Sequence, residues 1–598
     1  MRRLLPLMLL LAPLAAAASP TDDFRALWQR EWAWRLEQYP TFATAVGEHR
    51  YDESLGTVDE ASQQRRLAYY KDVAKALEAI DPAALDAATR VDYAIYKGQI
   101  GSAIANIELH GYRLSINSDS PFYGELAFLS RQMPFADERD YRRYLARLAD
   151  IPRWFDEHTA QLREGLKTGM TPPRIVLAGR DGELKTQAGV TDPEKSAFYA
   201  PFAKLPATID GQTADALRAQ ARDVIGKQVV PAYAKLLRFF DEEYAPHARE
   251  SLAAESLPDG KRYYRQQIRD YVTLDLDPAA IHATGLAEVA RIRAAMEAIV
   301  KEVKFDGDFA AFLAFLRSDP QFYAKTPEEL LMRAAWIAKR VDGQLPKLFA
   351  TLPRQPFGIA PVPDSIAPYY TSGRYVPAAE GSGEPGYYWV NTHDLKSRTL
   401  YTLPALTLHE SVPGHHLQGA LANEQTGQPP FRRYSYLSAY GEGWALYAES
   451  LGEDMGIYTT PYERFGRYTY EMWRACRLVV DTGVHSKGWT RAQAVAYMRD
   501  NTALSLHEID TEVDRYISWP GQALSYKLGE MEIRSLRREA EGALGARFDV
   551  RAFHDAVLSL GSVPLDLLRE RIRAWIAERQ AADAGTGNRS RVAAAPAV

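Results

Sequence analysis

The chain has 598 residues, of which 46% are hydrophobic and 25% charged, with a net charge of −5. Such a length and apolar content suit a large buried core, and the mildly acidic balance excludes the basic footprint of a nucleic-acid or anionic-membrane binder. Cys476 is the only cysteine, so an intrachain disulfide framework is excluded as well.

Met1-Arg2-Arg3 is followed by an apolar run over residues 4–18 that ends in small residues, with an Ala-x-Ala site before Ser19. A charged start, a short apolar stretch and a small-residue site describe a secretory signal over 1–18. The run is short for a membrane span, and no cysteine follows it to take a lipid. The expectation is a periplasmic or secreted protein with no stable membrane anchor after cleavage. Removing Arg2 and Arg3 from the 72 basic residues leaves 70 against 77 acidic ones, a net charge of about −7.

Apolar residues then recur with helical period over residues 22–37, 61–80, 138–166, 213–244, 279–303 and 327–348. The same pattern returns over 400–582. Neither an internal repeat nor a flexible linker divides these stretches. They predict a mainly α protein: one helical unit over 19–580, two-lobed around a cleft, with a disordered Ala-, Gly- and Ser-rich tail over 581–598. Residues 351–385 break the pattern with seven prolines, and Gly386-Tyr387-Tyr388-Trp389-Val390-Asn391-Thr392 follows. Aromatic and β-branched residues bounded by proline and glycine predict a small sheet just before the next helix. His393 reads as a turn residue or one that supports a ligand from behind, rather than as a ligand.

That next helix carries Leu408-His409-Glu410-Ser411-Val412-Pro413-Gly414-His415-His416-Leu417-Gln418. The pattern is a metallopeptidase H-E-x-x-H with two added residues. On a regular helix His409 and His415 are about 120° apart and do not converge. Pro413 has no N–H for the carbonyl of His409, and Gly414 tolerates an unusual backbone path. A bulge or kink there returns His415 to the face of His409. His416 is the alternative ligand, about 20° away around the helix but about 10 Å along it. A His-rich turn closing a buried helix is the bland alternative.

Further on comes Ala439-Tyr440-Gly441-Glu442-Gly443-Trp444-Ala445-Leu446-Tyr447-Ala448-Glu449. Catalytic zinc takes three protein ligands and keeps one position open. Glu442, between two glycines where another backbone can approach closely, is the candidate third ligand. Glu449, seven residues on and on nearly the same face, is placed to hold a ligand histidine from behind. A helix first-turn charge and a solvated helix face are the ordinary roles for these two. In Asp514-Arg515-Tyr516-Ile517-Ser518-Trp519-Pro520-Gly521-Gln522-Ala523-Leu524-Ser525-Tyr526-Lys527, Arg515 suits a substrate carboxylate and Gln522 a hydrogen bond to substrate. An ion-paired Arg and a packed Tyr are the competing readings. His485 and His507 default to structural roles.

These three segments resemble a large bacterial family catalogued as a domain of unknown function, most strongly over 387–528. That family in turn is similar to the helical gluzincin peptidases, among them the thimet-oligopeptidase and thermostable-carboxypeptidase groups, and to dipeptidyl peptidase III, which has one inserted residue in the motif. The resemblance implies a gluzincin-like helical domain with the small sheet beside its cleft, and Zn2+ on His409, His415 and Glu442. It implies Glu410 as the base that takes a proton from the attacking water, and Tyr526 as donor to the oxyanion. It also implies an edge strand at Tyr388, Trp389, Val390 and Asn391 that binds an extended peptide, with a structural hairpin as the alternative. The function expected is a secreted zinc peptidase acting on peptides. The alternatives are a zinc amidase on a non-peptide or cell-wall substrate, and a non-catalytic binding protein on a peptidase scaffold.

Overall fold

Several helix starts follow the capping rules. Asp59, Asp137, Asp210 and Asp308 each accept the backbone N–H three residues on, which satisfies one of the orphan donors of a first turn. The computed structural model describes residues 19–118, 120–364, 366–378 and 383–592. The signal expected over 1–18 and the end of the tail, 593–598, lie outside them. Helix Leu565–Val592 runs through 581–592, so that part of the expected disordered tail is helical.

The protein is mainly α with one three-stranded sheet. Helices Pro20–Gln38, Glu60–Glu78, Glu138–Thr168 and Pro327–Asp342 lie close to the spans read from periodicity. The stretch over 213–244 is interrupted by two π turns, Ile225–Val229 and Phe240–Tyr244. Helix Ala87–Glu108 has no counterpart in the sequence reading. Its many small residues, Gly98 and Gly101 among them, blunt the apolar stripe that reveals a helix.

The buried apolar side chains fall into two clusters. One takes in Leu55 and most of the buried apolar residues of 116–248, though not Met170 and Val176. The other joins the N-terminal helices to everything from residue 252 onward. Within the second cluster the elements that matter for the site are α1 (Pro278–Glu302), β1 (Phe357–Pro361), β2 (Gly373–Val376), β3 (Gly386–Val390), α2 (Leu403–Glu410), α3 (His415–Asn423), α4 (Ser438–Asp454), α5 (Pro461–Lys487), α6 (Leu506–Ser518) and α7 (Ser525–Leu544). Helix α5 is the axis, with its interior positions almost wholly buried. Close crossings set the spacing of its neighbours. A Cβ on Gly443 of α4 would meet the backbone of Gly529 on α7 at 2.5 Å, so these two helices touch backbone to backbone.

In the sheet β3 is central, parallel to β1 and antiparallel to β2. The expectation that residues 388–391 form a free edge is therefore corrected. Both sides of Tyr388, Trp389 and Val390 are already paired. Asn391 is a pin: its Nδ2 donates to the carbonyls of Ala367, Tyr370 and Thr371. The edge strands are β1 and β2, and β2 is the one bonded to Glu410.

Candidate metal centre

Helix α2 ends at Glu410 and α3 begins at His415. The expected kink in one helix is instead a complete break. Pro413 removes the donor that would continue α2, and Ser411 Oγ turns back to the carbonyl of Thr407. Any side chain at Gly414 would collide with the carbonyl oxygens of Leu408 and His409. Its φ is −76°, so glycine is required by close approach and not by a left-handed backbone. Trp444 of α4 closes the arrangement by donating Nε1–H to the carbonyl of Pro413 at 2.8 Å. The turn between the two histidines is thus tied to the helix that carries Glu442.

The break brings together three donors. Nε2 of His409 lies 3.4 Å from Oε2 of Glu442, and Nε2 of His415 lies 3.3 Å from the same oxygen. All three donor atoms fall within 4.8 Å of one another. At metal–ligand bonds of about 2.0–2.1 Å, the edge of a tetrahedron is about 3.3–3.4 Å. Glu442 Oε2 is buried and makes no aligned hydrogen bond in the protein, the state expected of an oxygen reserved for a cation. Two imidazoles and one carboxylate, with both histidine-to-Glu442 distances at that edge length and the whole set within 4.8 Å, fit a divalent metal with an open position.

Behind the cluster, Glu449 accepts from His409 Nδ1 at 2.8 Å and faces Arg474 at 3.4 Å. A carboxylate only accepts, so Nδ1 carries the proton and Nε2 points at Glu442. Burial disfavours charge on His409, but its contacts with Glu442 and Glu449 and the charge of Glu410 push its pKa up to about 10. Burial likewise opposes ionisation of Glu442, and the His415 and His409 imidazoles hold it well below the usual carboxylate range. A proton on His409 Nε2 and a metal ion compete for one lone pair.

Glu410 points to the sheet: its Oε2 accepts the backbone N–H of Tyr375 on β2 at 2.8 Å. His416 is turned away from the cluster. Its Nδ1 meets the Tyr375 hydroxyl and its Nε2 the carbonyl of Gln355, both at 3.1 Å, and burial pushes its pKa down to about 4.

Arg515, Gln522 and Tyr526 are brought together. Arg515 Nη2 donates to Gln522 Oε1 at 3.1 Å and to the Tyr526 hydroxyl at 3.4 Å. Glu512 lies 3.5 Å from Arg515 and 2.8 Å from Arg477. The loop bearing Gln522 is anchored by Asp481 of α5, which accepts from Gly521 N–H and from the Tyr264 hydroxyl. Burial pushes the Asp481 carboxyl up to about 7. His485 is structural, bonded to the carbonyl of Tyr516 and the N–H of Ala254. His507 is exposed, and His393 sits in a turn, its N–H on Asn391 Oδ1.

Several residues of the site escaped the sequence reading. Tyr436 lies over Gly441 with its hydroxyl against Glu442. The residue as a whole is exposed. Arg374 and Tyr375 stand on β2. The signal for them was present in Ser372-Gly373-Arg374-Tyr375-Val376, a short β-type run between prolines.

Fold and site define an α-helical protein with a small sheet and a two-histidine, one-glutamate cluster at a helix break. The chain belongs to the family described as "Bacterial protein of unknown function (DUF885)", whose model matches residues 40–572. Its structure is similar to that of a chain named a candidate lipoprotein from Colwellia psychrerythraea, with 27% identity and a TM-score of 0.85 over 94% of this chain and 100% of that one. A candidate lipoprotein of unknown function from Shewanella oneidensis shares the fold at 21% identity and a TM-score of 0.66, over 93% and 99% of the two chains. No curated protein matches. Among the described residues, no helix is long and apolar enough to cross a membrane.

Proposed function

We propose that the protein is an extracytoplasmic metal-dependent hydrolase, a peptidase with zinc on His409, His415 and Glu442. The observation that carries this reading is the convergence of those three donor atoms within 4.8 Å, with Glu410 one residue from His409 and bonded to an edge strand. The N-terminal apolar run and the naming of the structural relatives as lipoproteins support the location.

Zinc held by these residues would supply Lewis acidity and a nucleophile at neutral pH. Glu410 is the base: it accepts the proton of the attacking water and delivers it to the leaving amine. The outer edge of β2 offers backbone groups to an extended peptide, and Glu410 already sits on that edge through Tyr375. The Tyr526 hydroxyl, which accepts from Arg515, keeps its own proton for the oxyanion. Gln522, also bonded to Arg515, is within the same group.

The test is metal analysis of the purified protein followed by digestion of a mixed peptide library read by mass spectrometry. About one zinc per chain is expected, lost in His409→Ala and retained in His416→Gln. Full retention in both His409→Ala and Glu442→Ala would overturn the metal assignment. Bound metal with no peptide cleaved would overturn the peptidase reading and leave an amidase on another substrate.

A further inference from the structure

Two arginines, Arg515 and Arg374, differ in the partners they already have. Arg515 is engaged on every side, by Gln522, Tyr526 and the carboxylate of Glu512. Its charge is compensated and its guanidinium holds other side chains in place. Arg374 is exposed on the edge strand β2. Among the described residues no carboxylate lies within ion-pair distance of it, and its side-chain partner is the Tyr370 hydroxyl.

Its position relative to the site follows from the strand register. Tyr375 is the next residue, and the Tyr375 N–H is the group that bonds Glu410. Arg374 pairs with Trp389 on β3, so both side chains stand on the face opposite the Tyr375 and Tyr388 pair. That second face is covered by helices: Tyr375 meets His416, and Tyr388 is buried against Thr407. The face bearing Arg374 carries Trp389 and Tyr370, their rings 6.2 Å apart. Arg374 thus stands one residue from the N–H that Glu410 accepts, on the solvent-exposed side of the strand.

A strand rises about 3.3 Å per residue. A peptide laid along β2 with its scissile bond at Glu410 therefore brings a neighbouring residue, one or two positions away, to Arg374. A guanidinium with free donors recognises carboxylate in a planar, two-pronged pair. We propose that Arg374 determines specificity, selecting peptides that place a carboxylate one or two residues from the bond to be cleaved. This rests on the peptidase reading for the role of Glu410, and on the geometry of β2 for the rest. The carboxylate has two sources, the C-terminus of the peptide or an Asp or Glu side chain.

The experiment measures binding in the Glu410→Gln protein, where turnover does not intervene. Probes are neutral tripeptides as free acids and as C-terminal amides, and end-capped peptides with Glu or Gln at each position. Preference for the free acid identifies the terminus, and preference for capped Glu over Gln identifies a side chain. In either arm the preference should fall by about tenfold or more when Arg374→Gln is added, with Arg374→Lys intermediate. Arg374→Glu should reverse it toward Lys-containing peptides. Unchanged melting temperature excludes misfolding as the cause. An acid-to-amide and Glu-to-Gln ratio that is the same with and without Arg374, or no binding of any probe, overturns the proposal. Cleavage of the same probes by the parent protein is scored separately. Arg374-dependent binding without cleavage removes the peptidase reading and keeps the carboxylate site. Cleavage indifferent to Arg374 does the reverse.

Discussion

The cluster over residues 116–248 and the half of the molecule around α5 bury charge in different ways. In the first, Arg147 is fully buried and serves as a clamp. It bonds Thr44 and the carbonyls of Tyr51 and Ser54, with Asp52 at 3.4 Å. Around it the interior is aromatic and aliphatic. In the second, ionised groups run in strings. His409, Glu449 and Arg474 form one, and Arg477, Glu512 and Arg515 another. Lys527 sits among Glu288, Glu471 and Glu530 in a third. Buried ion pairs seldom stabilise a fold beyond what well-packed apolar residues would give. Their concentration on the helices around the His409, His415 and Glu442 cluster fits the proposed chemistry, whereas the lone clamp in the other half points to architecture.

The comparison is broken most severely at Glu410. Glu410→Gln should keep metal content and melting temperature and lose about 10²- to 10⁴-fold in turnover, because an amide cannot take the proton. Parent-like rates on the best library peptide would refute its role. The opposite experiment belongs in the other half. Leu148, fully buried in helix Glu138–Thr168, should destabilise the protein by about 2–5 kcal/mol on Leu148→Ala. Metal stoichiometry and kcat measured well below the melting transition should not change. A loss of metal in Leu148→Ala would mean that the two halves are not separable.

How much of this the sequence revealed depended on the kind of signal. The helical class, the small sheet before α2 and the convergence of His409, His415 and Glu442 were legible, because periodicity, proline and spacing each have a local cause. The glycines around Glu442 were legible as sites of close approach, and Gly443 meets Gly529. The identity of the edge strand bonded to Glu410 was not. Tyr388 to Asn391 has the stronger β composition because β3 is central and buried, whereas β2 is short, as edge strands tend to be. Arg374 could not be found from composition, since an arginine without an acidic partner looks like any other until its neighbours are known. The depth of the helix break was also hidden, because it depends on Trp444 reaching the Pro413 carbonyl across 31 residues.

A smaller effect sharpens the contrast within the charged half. Glu449 does not belong to the three-donor cluster but fixes the ring of His409. Glu449→Gln should retain the fold and weaken zinc binding by about 10- to 100-fold, as loss of a partner behind a metal histidine generally does. Competition with a chelator measures it. Affinity equal to the parent would remove Glu449 from the site.

The smallest effect at neutral pH comes from a histidine in the other half. His158 is stacked on Phe122 with ring centroids 3.9 Å apart, and its Nε2 is buried without a hydrogen-bond partner. Burial alone pushes its pKa down from 6.5 to about 3, the opposite of His409, whose partners push it up to about 10. A base whose pKa is depressed by folding contributes stability that is complete above 6.5. That contribution is lost as pH falls, because the unfolded chain takes up a proton that the folded one refuses. Replacing the ring by Phe removes the titration and keeps the stack. His158→Phe should therefore match the parent within about 1 kcal/mol at pH 7. It should become the more stable of the two as pH falls from 6.5 toward 4, with metal content the same in both proteins at pH 7. Denaturant unfolding at a series of pH values reads the difference. Parallel stability curves for parent and variant across that range would show that His158 carries a partner in solution and that the aromatic half is less dry than its packing indicates.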